Sequence, residues 1–451
     1  MATFTLASWT TNLTYSNLTP SVIDAATKSI YNWAGCAIGG FAQDAPQIAL
    51  NTTRIAFGGT PTSSILGSNG SISDGFADAQ VAAFVNGIAS HVDDYDDTLL
   101  ESIIHPSGVV ASALLAVAEW KAPVSGHDFL TAFVAGVEAE SKLSLSVWPE
   151  HYDVGWHSTS TTGSIGAAVA VGKLIGLDTT RMQHAIGVAA TQVIGMQEFF
   201  GSMTKSFHIG RAAQGGMLAA LLAQNGYTSS LEALEAKFGW LHVVSTRENA
   251  SAYFEQLGKT WEIEKNTFKP FPCGIVLHPI IDGCIQLHNQ FASEDKAISE
   301  IKDIKLRVNP EVLVLTGQTE PQTGLEGKFS VYHAAAVGLL YGEATPTQFT
   351  DEVVRNQAVI NMRKKVNVTT DEGVSEDQAY TSVTFEDGST LETHVEHAIG
   401  SLENPLSVDD LKKKFVDQVS QQIGAARAEK AYDAFANIGN MTDVGKIRMT
   451  F

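Results

Sequence analysis

The sequence predicts a mainly α protein: a large all-helical domain formed by both chain ends, plus a smaller α/β lid domain. Three observations lead there. Apolar and small residues recur at three- and four-residue spacing from about Leu18 to Gly258, a helical period sustained through segment after segment. Near Trp261 the pattern changes to short alternating runs with a hairpin signal. Helical period then resumes beyond about residue 405. A chain of 451 residues has room for two domains, and these changes divide it into 1–260 with 405–451 for the helical domain and 261–404 for the lid.

The helices follow in order. Ser21–Gly39, Pro106–Trp120 and Phe129–Val147 carry apolar residues at helical spacing, as do Ser164–Leu177, Met182–Val193 and Arg211–Asn225. Their small residues let backbones approach, so each reads as a buried core helix. The Gly/Ser/Thr stretch Gly58–Ser73 reads as an exposed loop or turn. In the lid, Ile304–Val308 alternates like a strand, Phe329–Tyr341 is helical, and Tyr380–Glu396 is a hairpin around Asp387–Gly388. A capping box at Ser407–Asp410 opens a helix from Leu411, and the helical pattern runs to about Ala436.

Composition narrows the function classes. At 44% hydrophobic and 17% charged, the chain can build a large core and is too apolar for disorder. Its 29 basic and 49 acidic residues give 29 − 49 = −20, which disfavours nucleic acid and anionic membranes as partners. An anionic substrate would therefore need a local positive island. Cys36, Cys273 and Cys284 have no C-x-x-C spacing, which argues against a zinc or iron–sulfur site and suits a reducing compartment. The first residues lack a basic stretch followed by an apolar one, and no run reaches 18 apolar residues. A cytoplasmic protein that does not span a membrane is the expectation.

Chemistry-bearing residues gather in a few segments. Residues 91–108, HVDDYDDTLLESIIHPSG, hold a dense polar cluster directly before an apolar helix. Much of it could be a solvated acidic loop. His105, however, abuts a helix start, where unpaired N–H groups favour an anion, and with an inward aspartate it makes an acid–base pair. In GWHSTSTTGSIGAA, residues 155–168, His157 precedes a hydroxyl-rich helix start; taken alone it is more often a satisfied core histidine. In GSMTKSFHIGRAAQGG, residues 201–216, Lys205 lies among small residues with His208 and Arg211 nearby, a short basic patch. FKPFPCGIVLHPIIDGC, residues 268–284, fixes a rigid loop ending at His278. Tyr332 and His333 lie on the lid helix, where a tyrosine is more often core. No metal-ligand spacing, Walker A loop, nucleophile elbow or dinucleotide fingerprint occurs.

Together these segments resemble the MmgE/PrpD family, which includes 2-methylcitrate dehydratase, cis-aconitate decarboxylase and iminodisuccinate epimerase. The likeness rests on D-Y-D-D-T at 94–98 with H-P-S at 105–107, G-W-H at 155–157 and T-K-x-x-H-I-G at 204–210. F-K-x-F-P at 268–272, His278 and Tyr332 complete it. The resemblance implies catalytic roles for Asp94, His105, His157 and Lys205, with Asp94 or His157 as base and His105 or Lys205 as acid. It assigns Thr98, His278 and Tyr332 to substrate binding. It further implies a homodimer, a small polycarboxylate substrate and no metal or organic cofactor. Dehydration of an alkylcitrate or 2-methylcitrate in a biosynthetic pathway, of the kind found in fungal secondary metabolism, is the preferred expectation. Cis-aconitate-type decarboxylation, epimerisation and non-catalytic carboxylate binding stay open.

Overall fold

The computed structural model describes residues 1–68, 75–247, 250–291 and 293–451. The protein is mainly helical, with few and small sheets, the first a pairing of β1 (Ser63–Ser64) with β2 (Phe76–Ala77). Its first apolar core is built by α1 (Ala2–Asn12), α2 (Pro20–Gly40), α3 (Asp44–Ala56), α4 (Ala79–His91), α5 (Pro106–Trp120), α6 (Gly126–Val147), α7 (Ser158–Leu174), α8 (Thr179–Ala190) and α9 (Met203–Gln224). Small residues set the closest crossings. A Cβ on Gly210 of α9 would lie 2.3 Å from the Phe84 carbonyl of α4, and one on Gly216 would lie 2.3 Å from the Ser164 carbonyl of α7. Only glycine allows those approaches.

A second apolar core lies between α10 (His278–Phe291), α11 (Val331–Tyr341) and a four-stranded sheet. The sheet order is β6-β5-β7-β8, from β5 (Ile301–Val308), β6 (Val366–Thr370), β7 (Ala379–Phe385) and β8 (Thr390–Val395). β5 runs parallel to β6 and antiparallel to β7. Ile304, Leu306 and Val308 face the core while Lys305 and Arg307 face outward, the period-2 alternation of a half-covered sheet, which a bulge between Ile301 and Asp303 interrupts. The hairpin turn expected at Asp387–Gly388 is present, with Gly388 at φ 84°. The chain then returns: α12 (Val408–Ile423) and α13 (Ala425–Ala436) pack on α2 and join the first core through Phe415, Tyr432 and Phe435.

Several elements differ from the sequence reading. α7 starts at Ser158 rather than Ser164, and α9 at Met203 rather than Arg211. In α7 the hydroxyls satisfy themselves on the helix's own carbonyls, Thr162 Oγ1 donating to Ser158 O at 2.6 Å, so a polar run is accommodated inside a buried helix. The stretch from Gly58 is exposed only at first. Ser63 to Ser68 are buried, because Ser63 donates to the Ala116 carbonyl at 2.7 Å and Ser64 to Glu119 at 2.7 Å. Residues 69–73 of that stretch lie outside the described residues. α1, α3 and α4 were not anticipated. No helix among the described residues is long and apolar enough to cross a membrane.

Glu138, on α6, is fully buried, and its Oε1 accepts from the Ile263 N–H at 3.0 Å. Burial pushes its carboxyl up from 4.5 to about 8. The native state thus keeps a proton that the unfolded chain releases above pH 4.5, so stability is full below that pH and declines as pH rises towards about 8. Glu138→Gln keeps the acceptor and cannot ionise. Its stability relative to wild type, read from melting curves, should rise between pH 5 and pH 8 by at most about 1.4 kcal/mol per pH unit. Parallel melting curves would contradict the buried neutral acid.

Candidate active site

α4 ends at His91, and the following loop turns sharply at Asp94, whose φ of 51° is left-handed. Aspartate tolerates that region better than most residues. The turn aims the carboxylate inward. Asp94 Oδ1 accepts from Lys205 Nζ at 2.8 Å and Lys269 Nζ at 2.7 Å, while Oδ2 is buried without a partner. Burial alone raises the Asp94 carboxyl, but the two ammonium groups outweigh it and hold it well below the carboxylate range. Burial in turn lowers Lys205, opposed by Asp94. Lys269 reaches this point because β3 (Asp97–Leu99) pairs antiparallel with β4 (Asn266–Phe268), which sets the chain after Phe268 beside Asp94.

Two histidines occupy helix starts. His105 precedes α5 and His157 precedes α7, each as the N-cap residue. His105 Nδ1 lies 2.8 Å from the Asp97 carbonyl; a carbonyl only accepts, so Nδ1 carries the proton and Nε2 a lone pair. Thr98 Oγ1 adds a contact of 3.1 Å to the same Nδ1. His157 Nδ1 lies 3.0 Å from His208 Nδ1, so one proton is shared between them. Burial, then Lys269, pushes His105 well below its ordinary value; burial, then Lys205, does the same for His157. Both imidazoles are neutral at pH 7.

Asp94, His105, His157, Lys205 and Lys269 line one cavity. Its free volume is about 30 Å³, room for a water or two and far short of a tricarboxylate. Phe200, before α9, and Phe329, before α11, close it, their ring centroids 5.7 Å apart and each within 5.3 Å of Lys205 Nζ. Ile275 and Val276 form another wall and separate it from a neighbouring pocket of about 370 Å³. The starts of α5, α7 and α9 all meet here, adding the positive ends of three helix dipoles to two ammonium groups. Nitrogens of His91, His105 and His157 lie within 4.8 Å of one another, a spacing that suits a metal ion. The adjoining ammonium groups make the same place unfavourable for a cation and favourable for an anion.

Of the residues singled out in the sequence, Asp94, His105, His157 and Lys205 come together. The other three do not line that cavity. Thr98 stands behind His105, paired into β3 and fully buried. His278 lines the neighbouring pocket, its buried Nε2 without a partner. Tyr332 lines a separate pocket with Glu320, Ile360 and Arg363, because the turn of α11 directs it away; Phe329 is the aromatic that this segment contributes. Lys269, His91 and Asp96 were missed. Lys269 stood within the quoted F-K-x-F-P segment, and a lysine between two aromatics in a rigid Pro-flanked loop was the available signal.

Residues 5–252 match the MmgE/PrpD N-terminal domain and residues 271–438 the MmgE/PrpD C-terminal domain. The cis-aconitate decarboxylase of Homo sapiens is 30% identical over 377 residues, covering 80% of this chain and 77% of its own. That of Aspergillus terreus is 24% identical over 464 residues, covering 97% and 93%. The 2-methylcitrate dehydratase of Salmonella typhimurium is 23% identical over 379 residues, covering 78% and 77%.

Proposed function

The chain belongs to the MmgE/PrpD family, and from that premise we propose that it is a lyase for a citrate-like tricarboxylate, working without a metal or organic cofactor. The observation that carries this reading is the pair of ammonium groups on one oxygen of Asp94, with the other oxygen and two neutral imidazoles facing the same closed cavity. Substrate carboxylates would bind Lys205, Lys269 and the helix starts, which also stabilise charge developing beside them. The small free volume implies that the second core moves as a lid, carrying Phe329 and the Ile275–Val276 wall away to admit substrate. The division at 260/261 and 404/405 and a homodimeric assembly belong to this reading.

Two reactions use such a site. In decarboxylation of a cis-aconitate-type acid, the C–CO2 bond breaks, the electron pair delocalises towards a neighbouring carboxylate, and His157 or Lys205 protonates carbon. The names of the human and Aspergillus terreus relatives favour it. In dehydration of a 2-methylcitrate-type acid, Asp94, or His105 through its free Nε2 in place of the acid role first expected of it, removes the α-proton while an acid protonates the departing hydroxyl. The unpartnered Asp94 oxygen and the Salmonella typhimurium relative favour that second reading.

Incubation with cis-aconitate, citrate and 2-methylcitrate, with and without a chelator, separates them. Release of CO2 from cis-aconitate is expected for the first, and an alkene from 2-methylcitrate for the second, neither affected by chelation. No turnover of any tricarboxylate would overturn the proposal, and activity restored by added metal would overturn its cofactor-free part.

A further inference from the structure

Behind the cavity lies a titratable pair that the mechanism above does not use. His91 closes the last turn of α4, and its Nδ1 is 2.7 Å from Asp96 Oδ2. Both side chains are fully buried, and neither lines the cavity. Burial alone raises Asp96, but His91 and His105 outweigh it and hold the carboxyl down at about 2. An ionised carboxylate only accepts, so His91 Nδ1 donates and Nε2 is left bare. That Nε2 has no partner in spite of its burial. A bare, buried nitrogen is costly unless it is used.

Its surroundings indicate the use. The His91 ring lies 4.9 Å from that of His105 and 5.9 Å from that of His157. Nitrogens of all three lie within 4.8 Å, a gap that a single water bridges. The three differ in how well they can hold a proton. His105 and His157 sit at helix N-termini, where the dipole opposes a cation. His91 sits at a helix C-terminus, where the dipole favours one, and it has a carboxylate against its other nitrogen. The titratable groups facing it are Asp94 and Asp96 from the loop, Lys205 and the imidazole of His208 from α9, and the imidazoles of His105 and His157. Burial, and then Lys205, lowers His91 against the pull of Asp96, and a bound trianion would offset that lysine.

We propose that His91, oriented by Asp96, is a positioning residue and proton relay behind the reaction centre: its Nε2, protonated once the trianion binds, passes that proton through one water to His105 or His157 and takes it back in each turnover. The transfer balances within the site. The N–H bond at His91 Nε2 breaks, an N–H bond forms on the receiving imidazole, and the Nδ1 proton stays hydrogen-bonded to Asp96. The inference rests on the tricarboxylate reading of the cavity.

Two measurements test it. In ¹⁵N-histidine NMR of the wild-type protein at pH 7, His91 should carry its proton on Nδ1 alone. It should become doubly protonated when the unreactive trianion tricarballylate is added. A proton on Nε2 in the free protein, or protonation of His105 or His157 instead, would overturn the relay. In kinetics, His91→Asn should lower kcat about 100-fold with KM nearly unchanged. Asp96→Asn should move the alkaline limb of kcat to lower pH, because loss of the carboxylate weakens proton holding at His91. A purely structural role would lower the rate without moving that limb, and rates within about twofold of wild type would also overturn the relay. If tricarballylate charges His91 but no tricarboxylate is turned over, the lyase reading fails and the relay stands. If no histidine responds to tricarballylate, both fail.

Discussion

Lys269→Met is expected to lower kcat/KM on the true substrate by about 10³-fold, close to the effect of losing one fixed charge donor from an enclosed site. Lys269 is 1% exposed, and its Nζ serves Asp94 twice, on Oδ1 at 2.7 Å and on the backbone carbonyl at 3.3 Å. Methionine has a similar length and keeps the apolar packing, so the fold should survive, as circular dichroism would show. The site would lose one of two ammonium groups facing a trianion, and attraction across a few ångströms of low-dielectric surroundings is far stronger than in water. A second readout has a definite sign. Removing a positive charge beside Asp94 raises its carboxyl, so the acid limb of kcat/KM should move to higher pH. Lys269→Arg should not restore full activity, because a planar guanidinium cannot reproduce a compact ammonium on one oxygen. A loss below tenfold, with an unmoved acid limb, would remove Lys269 from the site.

The fate of Lys269 shows what the sequence can and cannot convey. Helical periodicity is local, so Pro106–Trp120 was read to the residue and the mainly α class followed. His105, His157 and Lys205 stood beside helix starts and Asp94 in a dense polar cluster, signals that are also local. Lys269 depends on β3 pairing with β4, a contact between residues some 170 positions apart that two three-residue strands do not announce. Tyr332 shows the complementary limit: its chemistry was visible but its direction was not, and one turn of α11 decides whether it faces the cavity or Arg363. His91 was passed over because α4 was not recognised, and with it the helix C-terminus that distinguishes His91 from the other histidines.

Asp94→Asn is expected to reduce kcat by at least about 10³-fold, the range for loss of a general base or of a preorganised charge. Asparagine accepts the left-handed turn at φ 51°, so the loop should keep its path. The charge is another matter. Lys205 and Lys269 converge on one oxygen of this side chain, and without it two ammonium groups face each other in a buried site. Leaving a buried charge uncompensated costs several kcal/mol, so the free variant should melt at a lower temperature than wild type. Burial already lowers Lys205, with Asp94 its chief opposition, so Lys205 should release its proton more readily in the variant. A trianionic ligand then supplies the negative charge that the mutation removed. Tricarballylate should therefore raise the melting temperature of Asp94→Asn by more than that of wild type, measured side by side at pH 7 and low salt. A base that merely takes a proton predicts slower turnover with equal ligand stabilisation. Only a carboxylate that also balances the two lysines predicts the larger shift, and an equal or smaller one would leave Asp94 without that second role.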